Sequence, residues 1–133
     1  MTIIYRRMGV ARWAGLLSAL AVTQACTIHW SGHIENASAT DIVVTGGDTG
    51  SPASWRIQAD EAVKIKWKFP CLEVEEAGGD AYYFDAEEPP RSAMKLTGIT
   101  YTVYARYLDH QLYYRLENGD DQPLPALEAC PTQ

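Results

Sequence analysis

The sequence predicts an all-β domain, a small antiparallel β-sandwich or barrel of about seven or eight strands, preceded by a helical signal peptide. Three observations carry this. Apolar and polar residues alternate through several short runs, the period-two pattern of half-buried strands. Clusters of Gly, Pro, Asn and Asp separate those runs. No stretch after residue 26 sustains the 3.6-residue period of an amphipathic helix. The chain of 133 residues suits one domain, spanning 26–133, after a leading segment of 1–25.

The leading segment reads as a targeting signal. Arg6, Arg7 and Arg12 make it basic, and it contains no acid. Trp13 to Val22 is uncharged and mostly apolar. That run is about ten residues long, against the roughly 20 that a membrane-spanning helix needs. Thr23-Gln24-Ala25 follows, small or weakly polar, and then Cys26.

Val22-Thr23-Gln24-Ala25-Cys26 resembles a lipobox, the junction at which bacterial lipoprotein precursors are lipidated and cleaved. Thr23 stands where that pattern most often has Leu. The resemblance covers residues 1–26 only. It implies a thioether-linked diacylglycerol on Cys26 and an acylated amine, with fatty acids such as palmitate. Two or more acyl chains would hold the protein stably on a lipid bilayer, where one would not. Thr27 rather than Asp follows the cysteine, which in enteric-type lipoproteins points to the outer membrane rather than the inner one. Two alternatives compete: an ordinary secretory signal cut near Ala25, and a buried N-terminal helix. Met8 is a second candidate start and leaves the cleavage site unchanged.

The strands follow in order. Ile28, Trp30 and Ile34 alternate with His29, Ser31 and His33, and Asn36-Ala37-Ser38 ends that run. Asp41–Thr45 and Trp55–Ile57 are short apolar runs. Val63, Ile65, Trp67 and Phe69 alternate with Lys64, Lys66 and Lys68. Pro70 marks a bend or an edge, since it cannot donate to a ladder. Cys71-Leu72-Glu73-Val74-Glu75 then places acids outward, and these glutamates are expected to pair with the lysine row on a neighbouring strand. Ala77-Gly78-Gly79-Asp80 turns into Tyr82-Tyr83-Phe84. Residues 86–98 read as a loop around Pro89-Pro90, with a short helical turn near Ser92–Lys95. Ile99, Tyr101, Val103, Ala105 and Tyr107 form one row and Leu112, Tyr114 and Leu116 another, joined at Asp109-His110 as a hairpin. Asn118-Gly119-Asp120-Asp121 is a turn.

Cys71 and Cys130 remain once Cys26 is assigned to lipid. An even pair in an exported domain is expected to form a disulfide. A two-cysteine metal site lacks a CxxC spacing and a nearby His. Charge is uneven along the chain. Residues 26–133 hold eight basic and 17 acidic side chains. That balance argues against nucleic acid and anionic lipid headgroups as partners; it suits a basic partner, or serves solubility alone.

No catalytic set converges in the sequence. Asp48-Thr49-Gly50-Ser51 resembles the aspartic-protease tetrapeptide, but Gly46-Gly47 precede it and no second Asp loop exists to share its proton. It reads as a loop. His29 and His33 lie about 13 Å apart on one strand face, too far to hold one metal, and His110 sits in a turn. Glu73, Glu75, Glu76, Asp80, Asp85, Glu87 and Glu88 lack the spacing of a calcium loop and read as a solvated face. Neither a GxSxG motif nor the Lys of a phosphate loop is present. No cofactor or metal is expected.

The aromatic residues are expected mostly in the core. By parity, Tyr104, Arg106, Tyr113 and Arg115 fall opposite the apolar rows, a composition found at binding hot spots. The function expected is a non-enzymatic, membrane-anchored envelope lipoprotein that binds or supports another envelope protein. The alternatives are an inhibitor of a basic extracellular enzyme such as lysozyme and, third, an envelope hydrolase.

Overall fold

The computed structural model describes residues 27–46 and 52–131. The leading segment 1–25, Cys26 and the tetrapeptide at 48–51 lie outside the described residues. Eleven strands are present: β1 (His29–Asn36), β2 (Ile42–Gly46), β3 (Ala53–Ile57), β4 (Ala62–Lys66), β5 (Cys71–Glu76), β6 (Ala81–Asp85), β7 (Met94–Thr97), β8 (Thr100–Leu108), β9 (Gln111–Arg115), β10 (Asp121–Pro123) and β11 (Ala126–Leu127). A 3₁₀ turn at Arg91–Ala93 precedes β7.

The strands form two sheets. The first has the order β10-β9-β8-β1-β4, with β7 also paired to β8; the second has the order β11-β6-β5-β2-β3. Alternation buries one face of each sheet. Ile34, Ile65, Val103, Ala105, Tyr107, Leu112 and Tyr114 from the first meet Ile42, Val44, Ile57, Leu72, Val74 and Phe84 from the second. The molecule is therefore a sandwich and not a closed barrel.

Four expectations need correction. The strands among the described residues number eleven because β7, β10 and β11 are two to four residues long, too short for alternation to mark them. The span 86–98 is not all loop, since Met94–Thr97 pairs with Thr100–Val103. The sandwich is not wholly antiparallel: β1 runs parallel to β8 over its full length, from His29↔Thr100 to Asn36↔Tyr107. The long intervening chain permits that crossover. The Lys and Glu rows do not pair either. Lys64 and Lys66 lie on β4 in the first sheet, Glu73 and Glu75 on β5 in the second. The chain changes layer between them, through Trp67 to the cis Phe69–Pro70 peptide.

Trp67 fills the space that this crossing opens. It is 3 % exposed, and its indole N–H donates to the Ala86 carbonyl at 3.2 Å. Gly32 on β1 makes room for it, because a Cβ there would lie 2.8 Å from Trp67 Cε3. Gly32→Ala is therefore expected to cost about 1–3 kcal/mol through overpacking. Urea unfolding of the variant measures this, and an unchanged midpoint would show that Trp67 yields freely.

The C-terminal segment straps the layers together. β10 pairs with β9 in the first sheet and β11 with β6 in the second. Leu124, between them, is buried and donates its N–H to Leu112 O at 3.0 Å. Cys130 then bonds to Cys71 at the start of β5, with the Cα atoms 5.6 Å apart. The expected disulfide is thus present.

Asn36 seals the other end of β1. Its amide is fully buried and fully partnered, donating to Thr40 O and Ile57 O and accepting from Ser38 N and Oγ. A buried amide so paired stabilises the corner it ties, where an unpaired one would destabilise it.

Candidate functional site

The outer face of the first sheet carries the densest set of chemically versatile side chains. Strand alternation puts His33 and Glu35 from β1 outward, with Tyr104 and Arg106 from β8 and Tyr113 and Arg115 from β9. All four residues expected on the non-core face are there. Arg106 stands opposite Tyr113 in the β8–β9 register and beside Glu35 in the β1–β8 register.

The two arginines are not free. Arg115 Nη1 donates to Glu35 Oε2 at 3.1 Å, and Arg115 Nε lies 3.6 Å from Asp121 Oδ1. Arg106 Nη1 lies 3.5 Å from Asp121 Oδ2, and its Nε 4.0 Å from Glu35 Oε2. Two cations and two carboxylates thus alternate in a ring across β1, β8, β9 and β10. The four side chains are partly exposed, so each pair contributes at most about 1 kcal/mol. The ring fixes the direction of the arginines more than it stabilises the fold. The Arg106 Nε is buried and has no hydrogen-bond partner among the described residues. Glu35 lies 80 residues from Arg115, and the β1–β8 register brings it to the arginines; Asp121 follows Arg115 closely and meets it across the β9–β10 hairpin.

Glu35→Gln is expected to cost no more than about 1 kcal/mol, and less in 1 M salt, where the Debye length is about 3 Å. Thermal unfolding at low and high salt tests this. A larger loss that salt does not diminish would mean the ring is a structural keystone.

A cleft of about 540 Å³ opens beside the ring. Its origin is in the register. β7 pairs with β8 as far as Val103, and β9 pairs with β8 from Ala105 onward. Tyr104 lies between the two pairings and forms the floor. His33, Met94, Lys95, Arg115 and Glu117 line the sides, and Glu117 N donates to Ser92 O at 2.7 Å across the gap. The His33 and Tyr104 rings lie 5.7 Å apart. The cleft therefore offers donors, acceptors, both signs of charge and an aromatic floor, which suits recognition.

A second constellation sits at the other end of the sandwich. His110 Nδ1 bonds the Glu76 carboxylate, and Tyr82 stacks on the imidazole at a ring distance of 5.1 Å. Asp109 and His110 both have positive φ, as a two-residue type I′ hairpin requires. Ser38 lines the adjoining shallow cleft. Its hydroxyl is shared between Asn36 Oδ1 at 2.6 Å and Thr40 O at 3.0 Å. No hydrogen bond joins it to His110 among the described residues, so a base oriented by a carboxylate stands there without the nucleophile contact that acyl transfer needs.

Among the described residues no three His, Cys, Asp or Glu side chains converge as metal ligands. His29 and His33 are exposed on the first sheet, and His110 is at the opposite end.

Charge is sided in a way that the chain average hides. The outer face of the first sheet carries Lys64, Lys66, Lys95, Arg106 and Arg115 against Glu35 and Asp121, in a chain of net charge −6. Lys66, Ser31, Thr102 and Lys95 form one row across β4, β1, β8 and β7. Ser31 Oγ and Thr102 Oγ1 bond each other in its middle at 2.9 Å. Glu73 and Glu75 face outward on the second sheet.

Compared with protein-family models, with curated proteins and with solved structures, the chain matched none.

Proposed function

We propose that this chain is the precursor of a lipid-anchored envelope protein whose β-sandwich holds another envelope protein and performs no catalysis of its own. The observation that carries it is the pairing of Cys71 with Cys130. That bond fits an oxidising compartment. It also leaves Cys26, at the lipobox-like junction, as the odd cysteine of three. The cleft over Tyr104 and the oriented arginines beside it suit recognition of a polar partner surface. The outer membrane, reached through the periplasm, is the expected site of attachment.

The acidic second sheet favours a second use of the same scaffold. Glu73 and Glu75 would steer a basic extracellular enzyme such as lysozyme toward that face. Absence of inhibition of lytic activity at micromolar protein would remove this alternative. A hydrolase would need the Ser38–His110 contact to form on substrate binding.

Intact-mass spectrometry of the membrane-extracted protein tests the main proposal. The expected mass is that of residues 26–133 plus acyl groups, increasing by two hydrogens on reduction. An unprocessed chain, or an unmodified Cys26, would overturn the anchor. Cross-linking in intact envelopes tests the partner, and a protein that stays monomeric and uncaptured across all envelope fractions would overturn the interaction role.

A further inference from the structure

We propose that one end of the first sheet, the β7–β8 hairpin with the residues entering β1, seats directly on the lipid bilayer and fixes how the domain stands on it. This rests on the anchored reading given above.

Four large hydrophobic residues are exposed among the described residues: Ile28 at 54 %, Leu96 at 54 %, Ile99 at 50 % and Tyr104 at 36 %. The first three are neighbours. His29 N donates to Ile99 O at 2.9 Å, which holds Ile28 beside the hairpin turn. Leu96 stands opposite Tyr101, and Tyr101 opposite Trp30. Gly98, with φ at +62°, occupies the first of two turn positions and lets Ile99 project from the tip. An aromatic cluster backs this apolar tip. Trp30 stacks on Tyr101 at 5.0 Å and meets Phe69 edge-on at 5.2 Å. Trp and Tyr beneath exposed aliphatic residues are the composition of a membrane interface, where one side of each ring is apolar and the other wet.

Two features select the bilayer as the occupant. The chain enters the fold at this tip, and Cys26 precedes Ile28 by two residues. An acylated Cys26 therefore holds this end, and no other, within a few ångströms of the lipid. The charge beside the tip also complements anionic headgroups. Lys66 and Lys95 end the row that crosses Ser31 and Thr102, and Lys64 lies one row further in. A cleft of about 510 Å³ joins Lys64 and Lys66 to Trp30, Trp55 and Thr100, cations beside indoles as a phospholipid headgroup and its glycerol would meet them. Asp85 ends β6, and Glu87 and Glu88 follow on the connection where Ala86 N bonds Pro70 O.

The test uses the processed, lipidated protein reconstituted into vesicles of phosphatidylcholine with phosphatidylglycerol, some carrying brominated acyl chains. Flotation reports the anchor, and bromine quenching of tryptophan emission reports the seating. The difference between wild type and Trp30→Phe isolates the Trp30 signal. That signal is expected to fall at least about twofold, since interfacial groups enter about 5–10 Å. A Leu96→Glu, Ile99→Glu variant should float equally and lose the quenching. A Lys64→Gln, Lys66→Gln, Lys95→Gln variant should lose the dependence on phosphatidylglycerol. Both sets of positions are exposed, and far-ultraviolet circular dichroism verifies folding. Flotation without quenching overturns the seating and leaves the anchor standing. Quenching without acyl groups supports the tip and overturns the anchor. Loss of both overturns both. Lys95-to-Lys95 cross-links without quenching overturn the proposal and assign the tip to a second copy.

Discussion

Replacing Cys71 and Cys130 together with alanine is expected to lower the stability of the sandwich by about 4 kcal/mol, the chain-entropy value for a loop of this length. The two residues are 59 apart in sequence. The double variant avoids leaving a reactive thiol. A domain of this size has about 5–15 kcal/mol in total, so the variant should be marginal. The loss should also have a location. Cys130 ends the strap that carries β10, Leu124 and β11, and Asp85 N donates to Pro125 O within it. Amide exchange at Asp85 and Leu124 should accelerate before the β1–β8 pairing opens. Equal urea midpoints for oxidised and reduced protein would mean that the strap holds by its strand pairing alone.

The second large effect is alkaline unfolding. Tyr107 and Tyr114 are buried in the core. Burial, then the Glu76 carboxylate, pushes the Tyr107 phenol far above its usual range. Burial, then Asp85, does the same for Tyr114. The Tyr107 hydroxyl faces the Glu76 carboxylate without the geometry of a full hydrogen bond. Both folded pKa values are raised, so the folded state keeps its protons where the unfolded chain loses them. Stability is intact below pH 10, the unfolded value, and falls as pH rises through the window above it. Each phenol contributes a slope of at most about 1.4 kcal/mol per pH unit, and the pair about 2.7. Urea midpoints at pH 8, 10 and 11 measure this. Tyr107→Phe should remove half the slope and change stability at pH 8 by no more than about 1 kcal/mol, the net worth of one weak hydrogen bond. A pH-independent midpoint in wild type would show that both phenols ionise as freely folded as unfolded.

Much of the sandwich was legible because its longest strands alternate without interruption. The β8–β9 hairpin stood out from Ile99 to Leu116 with a two-residue turn at its centre. The outward parity of Tyr104, Arg106, Tyr113 and Arg115 followed from the same rows. What was hidden depends on which strand meets which. Met94–Thr97 is too short to show a period, and it follows Pro89-Pro90, which resembles the start of a loop. Pro70 was legible as a bend but not as a change of layer, so Lys64 and Lys66 were assigned the wrong neighbours. The cleft over Tyr104 exists only because two strands share one side of β8. Glu35 reaches the arginines through the parallel β1–β8 pairing, which no local pattern encodes.

The parallel pairing of β1 with β8 also sets a timetable. Ser31 finds Thr102, 71 residues later, at the centre of the first sheet. A chain emerging from its N-terminus must hold β1 unsatisfied on that side until nearly the whole domain has appeared. Such long closures make β-rich domains fold in about milliseconds to seconds. Cys71 waits as well, because Cys130 follows it by 59 residues. During that wait the only other thiol on the chain is Cys26. The thioether proposed there would leave Cys71 and Cys130 as the two thiols able to pair.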